Sequence, residues 1–353
     1  MITLIRKLIG LIFILLLLRK IYKGYVAVNI VRECANEVSV DLIVAHPALN
    51  DLSNKKPLII FLLNKEVLNM TFNALCNTHQ YKDVHDQILI VALDHETKEV
   101  LEHNWKHLKI MHYDVPCLHR PFNYGDGYYQ LLYLFRANLA RALLEKGFTF
   151  WMAQQDTFWR ESLLDIPLSE GDIVFDRAGE ESKNLIGGGH YFCRNTLKAK
   201  QFFDVLSTDL TNKYFPDNVY MTTLCYRGIA ECNYIPFEKI ANWKWLYDAN
   251  SRKSNPSLIQ FDGHSNLGGK LEFMKSLGFY FLNEDGKTCN LESIEKARNS
   301  ISTFESDVSF NIISFMQFAF YQKIIELFYS NSLLEFVMNE VIFPNAMYFM
   351  ITM

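Results

Sequence analysis

The stretch that decides the fold is FTFWMAQQDTFWRESL, Phe148 to Leu163. Phe148–Ala153 is an apolar block without polar alternation, the pattern of a strand buried on both faces in a parallel sheet. It ends in Gln154-Gln155-Asp156, which sets polar groups at the carboxyl end of the strand. Upstream, Tyr128–Lys146 carries Leu131, Leu134, Phe135, Leu139, Ala142 and Leu143 at helical spacing, and Gly147 stops the helix. Further toward the N-terminus, Leu58–Leu63 and Gln87–Leu93 are strands of the same buried kind, and Leu108–Tyr113 is a third strand. Residues 64–78 and 96–107 between them read as loop and helix. Strands alternating with helices at this spacing predict an α/β fold, a mostly parallel sheet flanked by helices, in one domain spanning 57–282.

The bulk properties agree with a globular domain. The chain has 353 residues, 50% of them hydrophobic and 21% charged, with a formal net charge of -4. After residue 23 no long basic run follows, which excludes a nucleic-acid partner, whose phosphates need a concentrated Lys/Arg surface. The cysteines, Cys34, Cys76, Cys117, Cys193, Cys225, Cys232 and Cys289, form no CxxC or CxxH pattern, so zinc is not expected. An oxidising compartment would let some of them pair and leave at least one over.

The ends differ from the middle. Leu8–Leu18 is an unbroken apolar run with Arg6-Lys7 before it and Arg19-Lys20 after it. As a helix it is about 16 Å long, roughly half the hydrocarbon thickness, and counting back to Ile2 makes a short anchor conceivable. Residues 1–23 are therefore expected to be a signal anchor, or else a signal peptide, and 24–56 a stem and linker. The membrane would then be a partner through the N-terminus, with a single-pass type II protein in the Golgi or ER and a lumenal domain; secretion is the alternative. Asn69-Met70-Thr71 is a glycosylation sequon that counts only in that topology. Residues 283–353 are an apolar tail to which no chemistry is assigned.

In an open parallel sheet, ligands bind outside the carboxyl ends of the strands. Asn64, Asp94 and Asp156 sit at or just past such ends. A carboxylate at Asp156 suits a Mg²⁺ or Mn²⁺ ion held against a diphosphate, and equally a cap on the next helix. Arg136, on the helix before Asp156, reads either as a phosphate contact or as a solvated helix charge. Trp243 and Trp245 read either as a sugar platform or as core aromatics.

Four segments in order resemble the nucleotide-diphospho-sugar transferases, GT-A-fold enzymes with plant arabinosyl- and xylosyltransferase relatives; this chain looks like a divergent, animal-type member. FTFWMAQQDTFWRESL is similar to the strand and D-x-D-x-x-W segment. Gly187-Gly188-Gly189-His190-Tyr191-Phe192 resembles the glycine-rich acceptor-side loop. Phe215-Pro216-Asp217-Asn218-Val219-Tyr220-Met221 resembles the Asp-Asn segment that opens a helix, and His264-Ser265-Asn266 with Gly268 and Lys270 the late H-x-N…G…K segment.

The resemblance implies a GT-A-like, Rossmann-like domain that moves a sugar from a nucleotide-diphosphate donor to an acceptor hydroxyl on a glycan or protein. Asp156 matches the second acid of the D-x-D and His264 a further ligand of the same Mn²⁺ or Mg²⁺ ion. Gln154 stands where the first acid belongs and brings a hydrogen-bonding amide but no charge. Gly188 and Gly189 would let a sugar approach the backbone. Asp217 is the carboxylate expected near the sugar, with Asn218 suited to its hydroxyls and Asn266 among the substrate-binding residues; Asp217 and Asn218 read equally as a helix N-cap. Lys270 would neutralise the departing diphosphate. The loss of the first acid leaves open an inactive, glycan-binding pseudoenzyme on the same fold.

Overall fold

A computed structural model describes residues 2–121, 125–178, 185–261 and 267–305, and in the tail 323, 327 and 331–337. Among these residues ten strands form two sheets. The larger holds β1 (Leu58–Leu63), β2 (Ile88–Ala92), β3 (Lys109–His112), β4 (Phe150–Met152), β6 (Ile173–Arg177), β7 (Ile186–Cys193) and β8 (Cys232–Tyr234). The smaller is β5 (Thr157–Trp159), β10 (Leu258–Gln260) and β9 (Ile240–Ala241). Strand order in the seven-stranded sheet is β3-β2-β1-β4-β7-β6-β8. β1 to β4 run parallel to one another, whereas β7 is antiparallel to both of its neighbours.

The strand runs lack polar alternation because both faces of the sheet are covered. Leu58, Ile60, Leu89, Val91, Phe150 and Met152 point into one apolar cluster. Ile59, Phe61, Leu63, Ile88, Ile90 and Trp151 point into the other. The first cluster is closed by helices α6 (Gly127–Glu145) and α7 (Leu197–Asn212), the second by α3 (Leu68–Thr78) and the small sheet. The other described helices are α1 (Ile2–Cys34), α2 (Val40–Val44), α4 (Lys82–Gln87), α5 (His95–Asn104), α8 (Asp217–Tyr226), α9 (Trp243–Tyr247), α10 (Leu267–Ser276), α11 (Leu291–Ser300) and α12 (Ser332–Val337). The helix expected at Tyr128–Lys146 is α6, and Gly147 ends it at φ 89°, a conformation that favours glycine.

Residues 24–56, expected as stem and linker, are folded against the domain. α1 continues to Cys34 and buries Ala27, Val31 and Cys34, spaced to fall on one helix face. Val38 and Ile43 follow into the same core. Nearer the N-terminus α1 exposes Leu8, Leu11, Ile12, Ile14, Leu15 and Leu18. No helix among the described residues is long and apolar enough to cross a membrane. The disulfides Cys34–Cys117 and Cys76–Cys289 tie α1 and α3 to segments far along the chain, Cys225–Cys232 closes the short turn between α8 and β8, and Cys193 stays a buried thiol on β7. Most of the C-terminal tail lies outside the described residues.

Candidate functional site

The sheet runs outward from β1 to β2 and β3 on one side and from β4 on the other. Chains leaving the carboxyl ends of β1 and β4 therefore part, and a crevice opens at this switch in strand order. A cleft of about 740 Å³, its open mouth included, occupies that place. Leu62, Leu63 and Asn64 from β1 and Met152 to Asp156 from β4 form its floor, and Tyr129, Leu132, Tyr133 and Arg136 of α6 one wall. Val67 and Met70 face them, and Lys270 of α10 reaches in at the rim.

Of the charged side chains lining the cleft, Arg136 and Lys270 are cationic and Asp156 anionic. Asp156 is 2% exposed, and its Oδ2 accepts from Lys270 Nζ at 2.5 Å. Its backbone carbonyl accepts from Phe261 N at 2.7 Å, which pins the strand end against the small sheet. Beside it the Gln154 Oε1 accepts from Gln260 Nε2 at 2.5 Å, and Gln155 Nε2 donates to Leu62 O at 3.1 Å. The helix-cap alternative for Asp156 fails, because a strand, β5, follows it.

Arg136 is buried rather than solvated. Its Nη1 lies 3.3 Å from Asp217 Oδ2, and Nη2 donates to the Gly188 carbonyl at 2.5 Å. Burial works against its charge, but Asp217, Tyr191 and Asp176 outweigh it and raise the pKa. Asp217 itself is pushed up by burial, with Arg136 and its own helix N–H groups opposing. Burial, partly offset by Lys270, likewise raises Tyr129.

Behind α6, β7 meets β6 in a second polar group. Asp176 accepts from the N–H groups of Gly188 at 2.7 Å, Gly189 at 3.1 Å and His190 at 3.0 Å. Burial pushes its pKa up to about 6 despite those donors. His190 is fully buried, and burial lowers it to about 4, so at neutral pH it is an uncharged imidazole whose Nε2 accepts from Gln154 N at 3.4 Å. The glycines here make room for protein, not for a sugar. A Cβ on Gly188, which has φ 85°, would lie 2.5 Å from Asn218 Cβ, and one on Gly189 would lie 2.1 Å from Gln260 Oε1.

The structure thus brings Asn64, Arg136, Gln154, Asp156 and Lys270 together on one cleft, and leaves Asp94, Gly188, Gly189, Asp217 and Asn218 off its lining. Asn64 uses its amide to hold the Leu118 and Arg120 carbonyls at 2.9 and 3.2 Å. Asp94 caps α5 through Thr97 N at 2.7 Å and ties in Lys65 N at 2.8 Å. Asn218 Nδ2 reaches the carbonyls of Ile186 and Gly187 at 3.2 Å. His264 and Asn266 lie outside the described residues. Trp245 is a core residue stacked 5.1 Å from Phe304, which overturns the sugar-platform reading for it. Sequence reasoning missed Tyr129, Tyr133, Gln155, Asp176, His190 and Gln260. Asp176, His190 and Gln260 carried a signal, as polar residues in otherwise apolar strands.

A divalent cation needs several oxygen or imidazole ligands converging on one point. Among the described residues the cleft offers one carboxylate, already held by an ammonium, and an amide oxygen already held by Gln260. The set of three close metal-ligating groups among the described residues is Cys34, Glu37 and Cys117, whose sulfurs are bonded to each other. The described donor set at the cleft does not fit a divalent cation.

Residues 83–274 match the sequence model of the family described as nucleotide-diphospho-sugar transferase. No curated protein sequence matches the chain. Among solved structures, the apo bifunctional glycosyltransferase WbbM aligns at 10% identity and TM-score 0.44, over 71% of this chain and 53% of that one. This chain thus spans about half the length of that enzyme. The galactosyltransferase LgtC, solved with donor and acceptor sugar analogs, aligns at 10% identity and TM-score 0.38, over 65% of this chain and 99% of its own. GlyE of Streptococcus pneumoniae aligns at 8% identity and TM-score 0.39, over 72% and 67% respectively.

Proposed function

The chain belongs to the nucleotide-diphospho-sugar transferase family, and we propose that its cleft between β1 and β4 binds a nucleotide-diphosphate sugar and passes the glycosyl unit to a hydroxyl of a glycan or protein. The observation that carries this reading is the charge at the cleft. Lys270 and Arg136, both cationic, flank the β4 end where Asp156 sits, in the crevice at the switch in strand order.

In the reaction the bond between the anomeric carbon and the phosphate oxygen breaks, and its electron pair stays on the diphosphate. A bond from the anomeric carbon to the acceptor oxygen forms, and the acceptor proton is released. Two fixed cations in a partly dry cleft stabilise the charge that develops on the leaving diphosphate. Arg136 is held rigid for this by Asp217 and the Gly188 carbonyl, so Asp217 serves as a positioning residue. Tyr129 and Tyr133 offer rings and hydroxyls to the donor along the α6 wall.

We further place the domain in the lumen of the secretory pathway, with α1 toward the membrane. Three disulfides in one domain are chemistry of an oxidising compartment, and the exposed leucines and isoleucines of α1 suit an apolar surround. Asn69 of the sequon is exposed on α3, as glycosylation requires.

The test is release of nucleoside diphosphate from a panel of nucleotide sugars by the purified full-length protein. One donor is expected to be consumed, and Asp156→Ala to lower that turnover by about 100-fold. Glycan binding with no nucleotide bound and no donor consumed would replace this reading with that of a binding module.

A further inference from the structure

We propose that this chain binds the diphosphate of its donor without a divalent cation, with the Lys270 ammonium in the place the cation would take. The inference rests on the reading of the cleft as the donor site.

Asp156 is the carboxylate that lines the cleft, and Lys270 Nζ is already seated on its Oδ2 at 2.5 Å. A divalent ion on that carboxylate would have to displace the ammonium and then sit near both it and Arg136. Like charges so close, in a cleft where the Asp156 side chain is 3% exposed and that of Lys270 16%, repel strongly. Gln154 adds a dipole but no charge, and Gln260 holds its oxygen. Asp176 is spent on backbone N–H groups of β7, and Asp217 pairs with Arg136. No further carboxylate among the described residues lines the cleft.

The same pair makes sense as a holder for the ammonium. Burying an ion pair is weak as a stabilising device, since desolvation offsets much of the attraction. An ammonium has three N–H donors, so Lys270 can stay on Asp156 and donate to a phosphate oxygen as well. Asp156 then fixes the ammonium instead of ligating a metal, and the diphosphate meets preset cations.

The experiment is calorimetric titration of the purified full-length protein with UDP, GDP and ADP, in EDTA and again with excess Mn²⁺. One nucleotide is expected to bind in EDTA with an affinity within about threefold of that in Mn²⁺. Lys270→Met, checked for an intact fold by its circular dichroism, should weaken that binding by about 30-fold in both conditions, and Lys270→Arg should restore most of it. An affinity that falls by about tenfold or more in EDTA and returns with Mn²⁺ overturns the proposal and leaves the donor-site reading standing. Unchanged affinity in Lys270→Met also overturns it. No binding of any nucleotide in either condition removes both.

Discussion

Two acidic strand ends lie near each other in this fold and behave in opposite ways. Asp156, past the end of β4, faces a cleft and holds the Lys270 ammonium from α10. Asp176, on β6, faces the backbone of β7 and accepts three N–H groups, while Arg136 and Asp217 lock α6 to α8 beside it. The first arrangement leaves charge to be shared with a ligand, whereas the second satisfies every oxygen internally. A carboxylate at a strand end thus becomes functional or structural according to what packs over it, not according to its position in the sequence.

The comparison breaks first on the two ion pairs. Arg136→Met leaves Asp217 buried without its cation and removes the hydrogen bond to Gly188 O, so it should destabilise by about 3–5 kcal/mol in urea unfolding. Lys270→Met leaves Asp156 facing an open cleft that water can enter. It should lower stability by about 1 kcal/mol, yet reduce donor turnover by about 100-fold. Equal losses of stability in the two variants would erase the distinction between the regions.

The glycines sharpen it next. Gly188→Ala adds a Cβ that would lie 2.5 Å from Asn218 Cβ at φ 85°, an expected loss of about 2–3 kcal/mol. Gly228→Ala, at φ 66° with no atom within 4 Å of its Cβ, should cost about 1 kcal/mol, the strain alone. Thermal melts of both variants separate the close approach from the backbone strain.

The smallest effect is in pH. Asp176 has a folded pKa raised to about 6, so its contribution to stability is present in acid and lost as pH rises through 6. His190 has a folded pKa lowered to about 4, so its contribution is present above its ordinary value and lost as pH falls toward 4. In the native protein the two oppose each other between those values. Asp176→Asn should therefore lose stability on acidification more steeply than the native protein, by at most about 1.4 kcal/mol per pH unit. A parallel pair of stability curves from pH 7 to pH 4.5 would contradict the assignment of these shifts.

Much of the sheet was legible. β1, β2 and β4 are apolar on both faces, and α6 announces itself by its leucine spacing and Gly147. Asp156 at a strand end was legible for the same reason. The glycine run at 187–189 was visible but its purpose was not, since Asn218 and Gln260 approach it from other elements of the fold. Asp94 carried a local signal, Thr97 three residues on in a cap pattern, that favours its structural role. The spacing of Ala27, Val31 and Cys34 held the packing of α1, hidden behind the louder apolar run before it. Lys270 was named from the late H-x-N…G…K segment; its pairing with Asp156 joins residues far apart in the chain.

The most direct test is a crystal structure of the full-length protein soaked with the nucleoside diphosphate of its preferred donor. The diphosphate should lie in the cleft at the ends of β1 and β4, with phosphate oxygens within hydrogen-bonding distance of Lys270 Nζ. A nucleotide bound on another face of the sheet, with Lys270 still closed on Asp156 and the cleft filled only by water, would contradict it.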